Sequence, residues 1–166
     1  MSEFSDILIK IQKSEYLSRE DLRFAYNFIL DGKGNEIEIE DFLIGLNNKG
    51  VTIDDIISGV EVLREKSFKV EVPIDAIDTC GTGGDNSGTY NISTAVTFVA
   101  AGSGAIVAKH GNRALSSKSG SSQVLEELGI NINIKPNKIS DCINKSNIGF
   151  MFAPNHHSAM KYVGPI

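Results

Sequence analysis

Between Asp78 and Glu127, three polar loops that carry glycine alternate with apolar runs, and this alternation limits the fold more than any other feature. The loops read Asp78-Thr-Cys-Gly-Thr-Gly-Gly-Asp85, then Asn91-Ile-Ser-Thr94, then Lys109 through Ser122. Each follows an apolar run of strand type or precedes one of helix type. Strands alternating with helices predict a parallel sheet with right-handed crossovers. Ligands of such sheets bind beyond the carboxyl ends of the strands, and the loops at 79–85, 109–118 and 153–157 fall on that edge. The expected strands are Ile74–Thr79, Ala105–Ala108 and Ile148–Phe152. The expected helices are Ile92–Gly102, Ser119–Gly129, Asn137–Asn144 and the beginning of one at His156–Val163.

The residues before Pro73 follow a different period. Phe4, Ile7, Leu8 and Ile11 share one helix face, as do Leu22, Ala25, Tyr26 and Ile29, and then Ile39, Phe42, Leu43 and Leu46. Ser18 and Thr52 read as N-caps, and the turn Asp31–Asn35 separates the second helix from the third. In the fourth helix, Ile53, Ile56, Ile57, Val60 and Leu63 are expected to face inward. The fold class is therefore α/β. A small helical bundle over residues 1–70 leads into part of a parallel-sheet domain, with helices on both sides, over residues 71–166. The chain stops at Ile166 with no cap or polar tail, which reads as a truncated domain. The stretch from Asp31 only loosely resembles a calcium loop: with Asp31 as position one, Lys33, Glu36 and Phe42 replace a ligand, the required glycine and the bidentate glutamate.

Composition excludes several classes. A net charge of −5 leaves no basic surplus for a nucleic-acid backbone. The longest apolar run, 95–108, is interrupted by Thr97, Gly102, Ser103 and Gly104 and falls short of the roughly 20 residues of a membrane span. Met1–Asp6 lacks the basic and apolar regions of a secretory signal. Cys80 and Cys142 form no ligand cluster, and a reduced, cytoplasmic protein is the reading. Cys80 is expected to be a strand-end packing residue.

The loops point to a phosphorylated small molecule. Gly81, Gly83 and Gly84 allow close approach of backbone to ligand. Ser93 and Thr94 open a helix whose free amides and dipole favour an anion. Lys109 and Arg113 add charge, and no acidic residue lies between Asp85 and Glu126. The glycine loop is neither a P-loop, since no Gly-Lys-Ser/Thr follows, nor a dinucleotide fingerprint, since Asn86 takes the third glycine position. Plainer readings stand beside these. Lys109 also reads as a surface lysine, His110 as a backbone-bonding residue, Arg113 as the partner of Glu126 or Glu127, and each serine as a cap. His156 and His157 lack a third metal ligand nearby.

With Gly81–Asp85, Asn91–Thr94, Lys109–Ser122 and Phe152-Ala-Pro-Asn-His-His157 in view, the chain resembles the anthranilate phosphoribosyltransferase family, of the nucleoside-phosphorylase-like class. The resemblance covers nearly the whole chain but only about the first half of a family member. It implies transfer of the phosphoribosyl group of phosphoribosyl pyrophosphate (PRPP) to the amino group of anthranilate, with Mg2+, in tryptophan biosynthesis. It also implies a homodimer formed through the helical domain. The PRPP residues it implies are Gly81, Gly84, Asp85, Thr89, Asn91, Ile92, Ser93, Thr94, Lys109, His110, Gly111, Asn112, Arg113, Ala114, Leu115, Ser116, Ser117 and Ser121. Ser93 would also touch the magnesium, and Gly81, Asn112 and His157 would contact anthranilate. Asp85 fits beside phosphate only through a ribose hydroxyl or the metal. No covalent nucleophile is implied. An arginine for the anthranilate carboxylate and an Asp-Glu pair for magnesium would lie beyond Ile166, so the chain alone is expected to be inactive. Pyrimidine nucleoside phosphorylase is a related alternative, although its Lys/Ser/Arg pattern differs, and a non-catalytic dimerising fragment is another.

Overall fold

The computed structural model describes residues 3–81, 90–114 and 119–166. Two units divide the chain, one of Met1–Ser67 with His157–Ile166 and one of Phe68–His156.

The helical unit is built from α1 (Glu3–Gln12), α2 (Arg19–Leu30), α3 (Glu36–Lys49) and α4 (Ile53–Lys66), with a 3-10 turn at Ser158–Tyr162. Ser18, Asn35 and Thr52 each accept at the third helical position, and the residue there returns to the cap's own N–H. Three capping boxes thus satisfy amides that would otherwise be orphaned at the helix starts. Phe4, Ile7, Ile11, Leu22, Ala25, Ile29, Ile39, Phe42 and Leu46 form one buried cluster, as the spacing predicts, and Val163 packs against it.

The fourth helix departs from expectation. Ile53, Ile56, Ile57 and Val60 are exposed, while Asp55, Ser58, Gly59 and Val62 are buried. Gly59 explains the rotation: a Cβ there would come within 3.2 Å of the Tyr26 ring. The Tyr26 hydroxyl donates to the Asp55 carbonyl at 3.1 Å. Asp55 in turn accepts from Thr52 N–H at 2.7 Å and from Lys49 Nζ at 3.0 Å. The small and capping residues, not the isoleucines, decide which face turns inward.

The α/β unit holds β1 (Val107–Gly111) and β2 (Ile148–Phe152), paired in parallel with Lys109 opposite Phe150. The expected first strand appears as a single parallel bridge, Ile77 to Val107. β1 begins and ends later than the sequence suggests. Side chains alternate across the sheet. Ala108 and Met151 meet Ile139 and Ile143 of α7 (Pro136–Ser146), while Phe150 and Phe152 cluster with Leu125 of α6 (Ser121–Glu127). Helices therefore cover both faces. α5 (Ile92–Gly102) packs on β1. α6 is shorter than expected, and Leu128 is exposed rather than buried because the helix ends at Glu127, before Gly129 turns at φ +78°. After β2 comes the short α8 (Ala153–His156), and the helix expected to begin at His156–Val163 appears as the 3-10 turn Ser158–Tyr162.

Candidate functional site

The first-strand segment, β1 and the starts of α5 and α6 converge in the α/β unit through side chains. Asp78 Oδ1 accepts from the N–H of Cys80 at 2.9 Å and of His110 at 3.2 Å, which fixes the segment entering Gly81 against β1. Cys80 is exposed there, not packed, because Thr79 takes the inward position. Thr79 Oγ1 lies 3.0 Å from the Ser93 carbonyl oxygen and 2.6 Å from Thr97 Oγ1. Asn91 leaves α5 uncapped by its side chain and donates instead to Ser119 Oγ at 2.9 Å. Thr94 Oγ1 donates to Ser121 Oγ at 3.0 Å.

The loop after β1 is held equally closely. Gln123 Oε1 accepts from Gly120 N–H at 2.7 Å and Ala114 N–H at 3.2 Å. The carbonyl of Asn112 accepts from Ser122 N–H at 3.3 Å. Gly111 is hemmed in by the Phe150 ring and Ser121. Among the expected residues, Asn91, Thr94, Gly111, Asn112, Ala114 and Ser121 are thus brought together. Ile92 and Ser93 share the first turn of α5 with them.

Lys109 is 1% exposed, and its Nζ donates to Thr79 Oγ1 at 3.5 Å. It lines a cavity of about 390 Å³ together with Thr94, Thr97, Phe98 and Phe150. Burial pushes its pKa below the ordinary lysine value, against the pull of Asp78 and Cys80. His110 is likewise held below the usual histidine range by burial. Arg113 pairs with Glu126 at 3.1 Å and lies 5.8 Å over the Phe152 ring, the pairing that the plainer reading expects. His157 belongs to the helical unit. Gly84, Asp85, Thr89, Leu115, Ser116 and Ser117 lie outside the described residues. Among the described residues no group of three or more His, Cys, Asp or Glu could hold a metal ion, and no helix is long and apolar enough to cross a membrane.

Sequence reasoning missed Asp78, Thr79, Thr97 and Gln123. Thr97 carried a signal: a hydroxyl four residues after Ser93 in an apolar helix donates back to that carbonyl, here at 2.9 Å.

Residues 5–67 match the helical bundle domain of a glycosyl transferase family, and residues 74–166 match its a/b domain. The chain belongs to that family. Similar proteins include the anthranilate phosphoribosyltransferase of Rhizobium etli, 48% identical over 165 residues, with 99% of this chain and 49% of the relative covered. The enzyme of that name from Xanthobacter autotrophicus is 47% identical, over 99% of this chain and 48% of the relative. The crystal structure of the anthranilate phosphoribosyltransferase from Thermus thermophilus superposes with a TM-score of 0.84 at 33% identity, covering 95% of this chain and 48% of that one. The chain spans about half the length of the curated relatives it matches.

Proposed function

We propose that this chain is the PRPP-binding half of an anthranilate phosphoribosyltransferase. Three observations support the reading. One is the relatives' shared name, and another is the family membership. The observation that carries it is the joining of the α5 start to the α6 start by Asn91–Ser119 and Thr94–Ser121, beside the loop that follows β1.

The chemistry needs placement more than a nucleophile. The bond from ribose C1 to the pyrophosphate oxygen breaks, a bond from C1 to the anthranilate nitrogen forms, and the amine loses a proton to solvent. Charge builds on the departing pyrophosphate, so preorganised amides and cations lower the barrier. Gly81, Asn91, Ile92, Ser93, Thr94, Lys109, His110, Gly111, Asn112, Arg113, Ala114 and Ser121 take the PRPP, with Gly84, Asp85, Thr89, Leu115, Ser116 and Ser117 completing the cradle. Gly81 and Asn112 contact anthranilate. The Ser93 hydroxyl would help hold Mg2+, which would supply positive charge against the departing pyrophosphate. Turnover requires the residues of the relatives' other half. The free, exposed cysteines support a reducing, cytoplasmic setting. A homodimer through the helical unit is supported by the outward isoleucines of α4.

Calorimetric titration of the chain with PRPP and Mg2+ tests this reading, repeated after the second half of a relative is supplied. Saturable binding is expected in both, with phosphoribosyl anthranilate formed only in the second. No binding in either sinks the proposal.

A further inference from the structure

We propose that Thr79 is a positioning residue for PRPP, because one hydroxyl oxygen couples the Lys109 ammonium to the first turn of α5. The inference rests on the function proposed above. Thr79 Oγ1 is 3.5 Å from Lys109 Nζ, 3.0 Å from the Ser93 carbonyl and 2.6 Å from Thr97 Oγ1. An ammonium only donates and a carbonyl only accepts. Thr79 therefore accepts from Lys109 and has one proton of its own to give, to Ser93 or to Thr97. Thr97 Oγ1 also reaches the Ser93 carbonyl, at 2.9 Å, so its proton serves the same small network.

Few other groups can aim the ammonium. Lys109 is 1% exposed, and among the described residues no carboxylate lies within 4.0 Å of its nitrogen. The nearest acid in sequence to Thr79 is Asp78, whose Oδ1 is committed to the N–H groups of Cys80 and His110. A buried charge needs a hydrogen-bond partner, and here Thr79 supplies it. The same oxygen is tied to α5 through the Ser93 carbonyl or Thr97, so Lys109 and the start of α5 are set relative to each other before any ligand enters. Thr79 acts through its neighbours Lys109, Ser93 and Thr97.

The test is PRPP·Mg2+ calorimetry on Thr79→Val, which keeps the shape and removes the hydroxyl, and on Thr79→Ser, which keeps the hydroxyl. A hydrogen bond to a charged group is worth a factor of about ten or more in affinity. Thr79→Val is expected to weaken binding by at least about tenfold, and Thr79→Ser to stay within about threefold of the parent. Should the valine variant not fold, Thr79→Cys, a poor acceptor of similar size, is expected to show the same loss. Parent-like affinity in the valine or cysteine variant, or equal loss in the serine variant, overturns the inference alone. Absence of binding by the unaltered chain overturns the functional reading and this inference with it.

Discussion

Thr94 Oγ1 donates to Ser121 Oγ at 3.0 Å, and this bond ties two helix starts that lie 27 residues apart in sequence. Thr94 is buried, so its hydroxyl has no access to bulk water as a substitute. Thr94→Val and Ser121→Ala are each expected to weaken PRPP binding. A double-mutant cycle should give a coupling energy of about 0.5–1.5 kcal/mol, the net worth of one such bond. Strictly additive losses would show that the two helix starts act independently.

Gly120 stands where no side chain fits. A Cβ there would lie 2.4 Å from the Ala114 nitrogen, 2.6 Å from the Arg113 carbonyl carbon and 2.7 Å from the Asn112 oxygen. All three are backbone atoms, which cannot swing aside as a side chain can. Gly120→Ala is therefore expected to push the Asn112–Ala114 loop off the start of α6 and to weaken PRPP binding about tenfold or more. Gly102→Ala has open space around it. It is expected to raise stability by up to about 1 kcal/mol through helix propensity alone. Calorimetry and thermal unfolding of the two variants read both outcomes.

Asp55 makes the helical unit sensitive to acid. Burial favours its neutral form, but bonds from the Thr52 N–H and hydroxyl and from Lys49 outweigh this and hold its pKa below the ordinary carboxylate value. A group with a depressed folded pKa stabilises above its unfolded value, near about 4, and that stability is lost as pH falls through the folded value. Asp55→Ala should cost about 3 kcal/mol at neutral pH, since Lys49 is left without its partner. The gap in urea midpoint between parent and variant should narrow steadily below about pH 4. A gap independent of pH would assign the loss to packing.

The sequence made the first three helices readable because caps and apolar spacing agree at Ser18 and across Phe4, Ile7 and Ile11. It misjudged α4 because an apolar stripe shows that a helix has two faces, not which one a neighbour takes. The choice fell to Gly59 and Tyr26, which lie 33 positions apart and meet only in the folded unit. β2 matched its expected bounds, since a short apolar run after the αL residue Asn147 has little room to shift. The first strand shrank to a single bridge at Ile77, whose N–H donates to the Ile106 carbonyl and whose carbonyl accepts from the Ala108 N–H. Glycines and hydroxyls marked the loops of the candidate site, but their cross-links depend on tertiary approach. Gln123 reads in sequence as an ordinary helical glutamine, yet its Oε1 joins Ala114 to Gly120.

The outward face of α4 gives the last prediction. Ile53 is 75% exposed and Ile56 57%, with Ile57 and Val60 completing an i, i+3, i+4, i+7 stripe. Ile37, Ile44 and Val51 are exposed on and just after α3. Burying one isoleucine side chain yields about 1.5–3 kcal/mol, so each residue within an interface shifts a dissociation constant by about tenfold or more. If two copies associate through this face, Ile56→Glu is expected to raise the dimer dissociation constant at least about tenfold, and Ile53→Glu with Ile56→Glu to give monomer at micromolar concentration. Unfolding of the monomer should be little changed, because neither side chain belongs to the buried cluster of the unit. Sedimentation velocity across a concentration series separates the cases. A parent chain that sediments as monomer throughout, or a double variant that remains dimeric, would remove α4 from any interface.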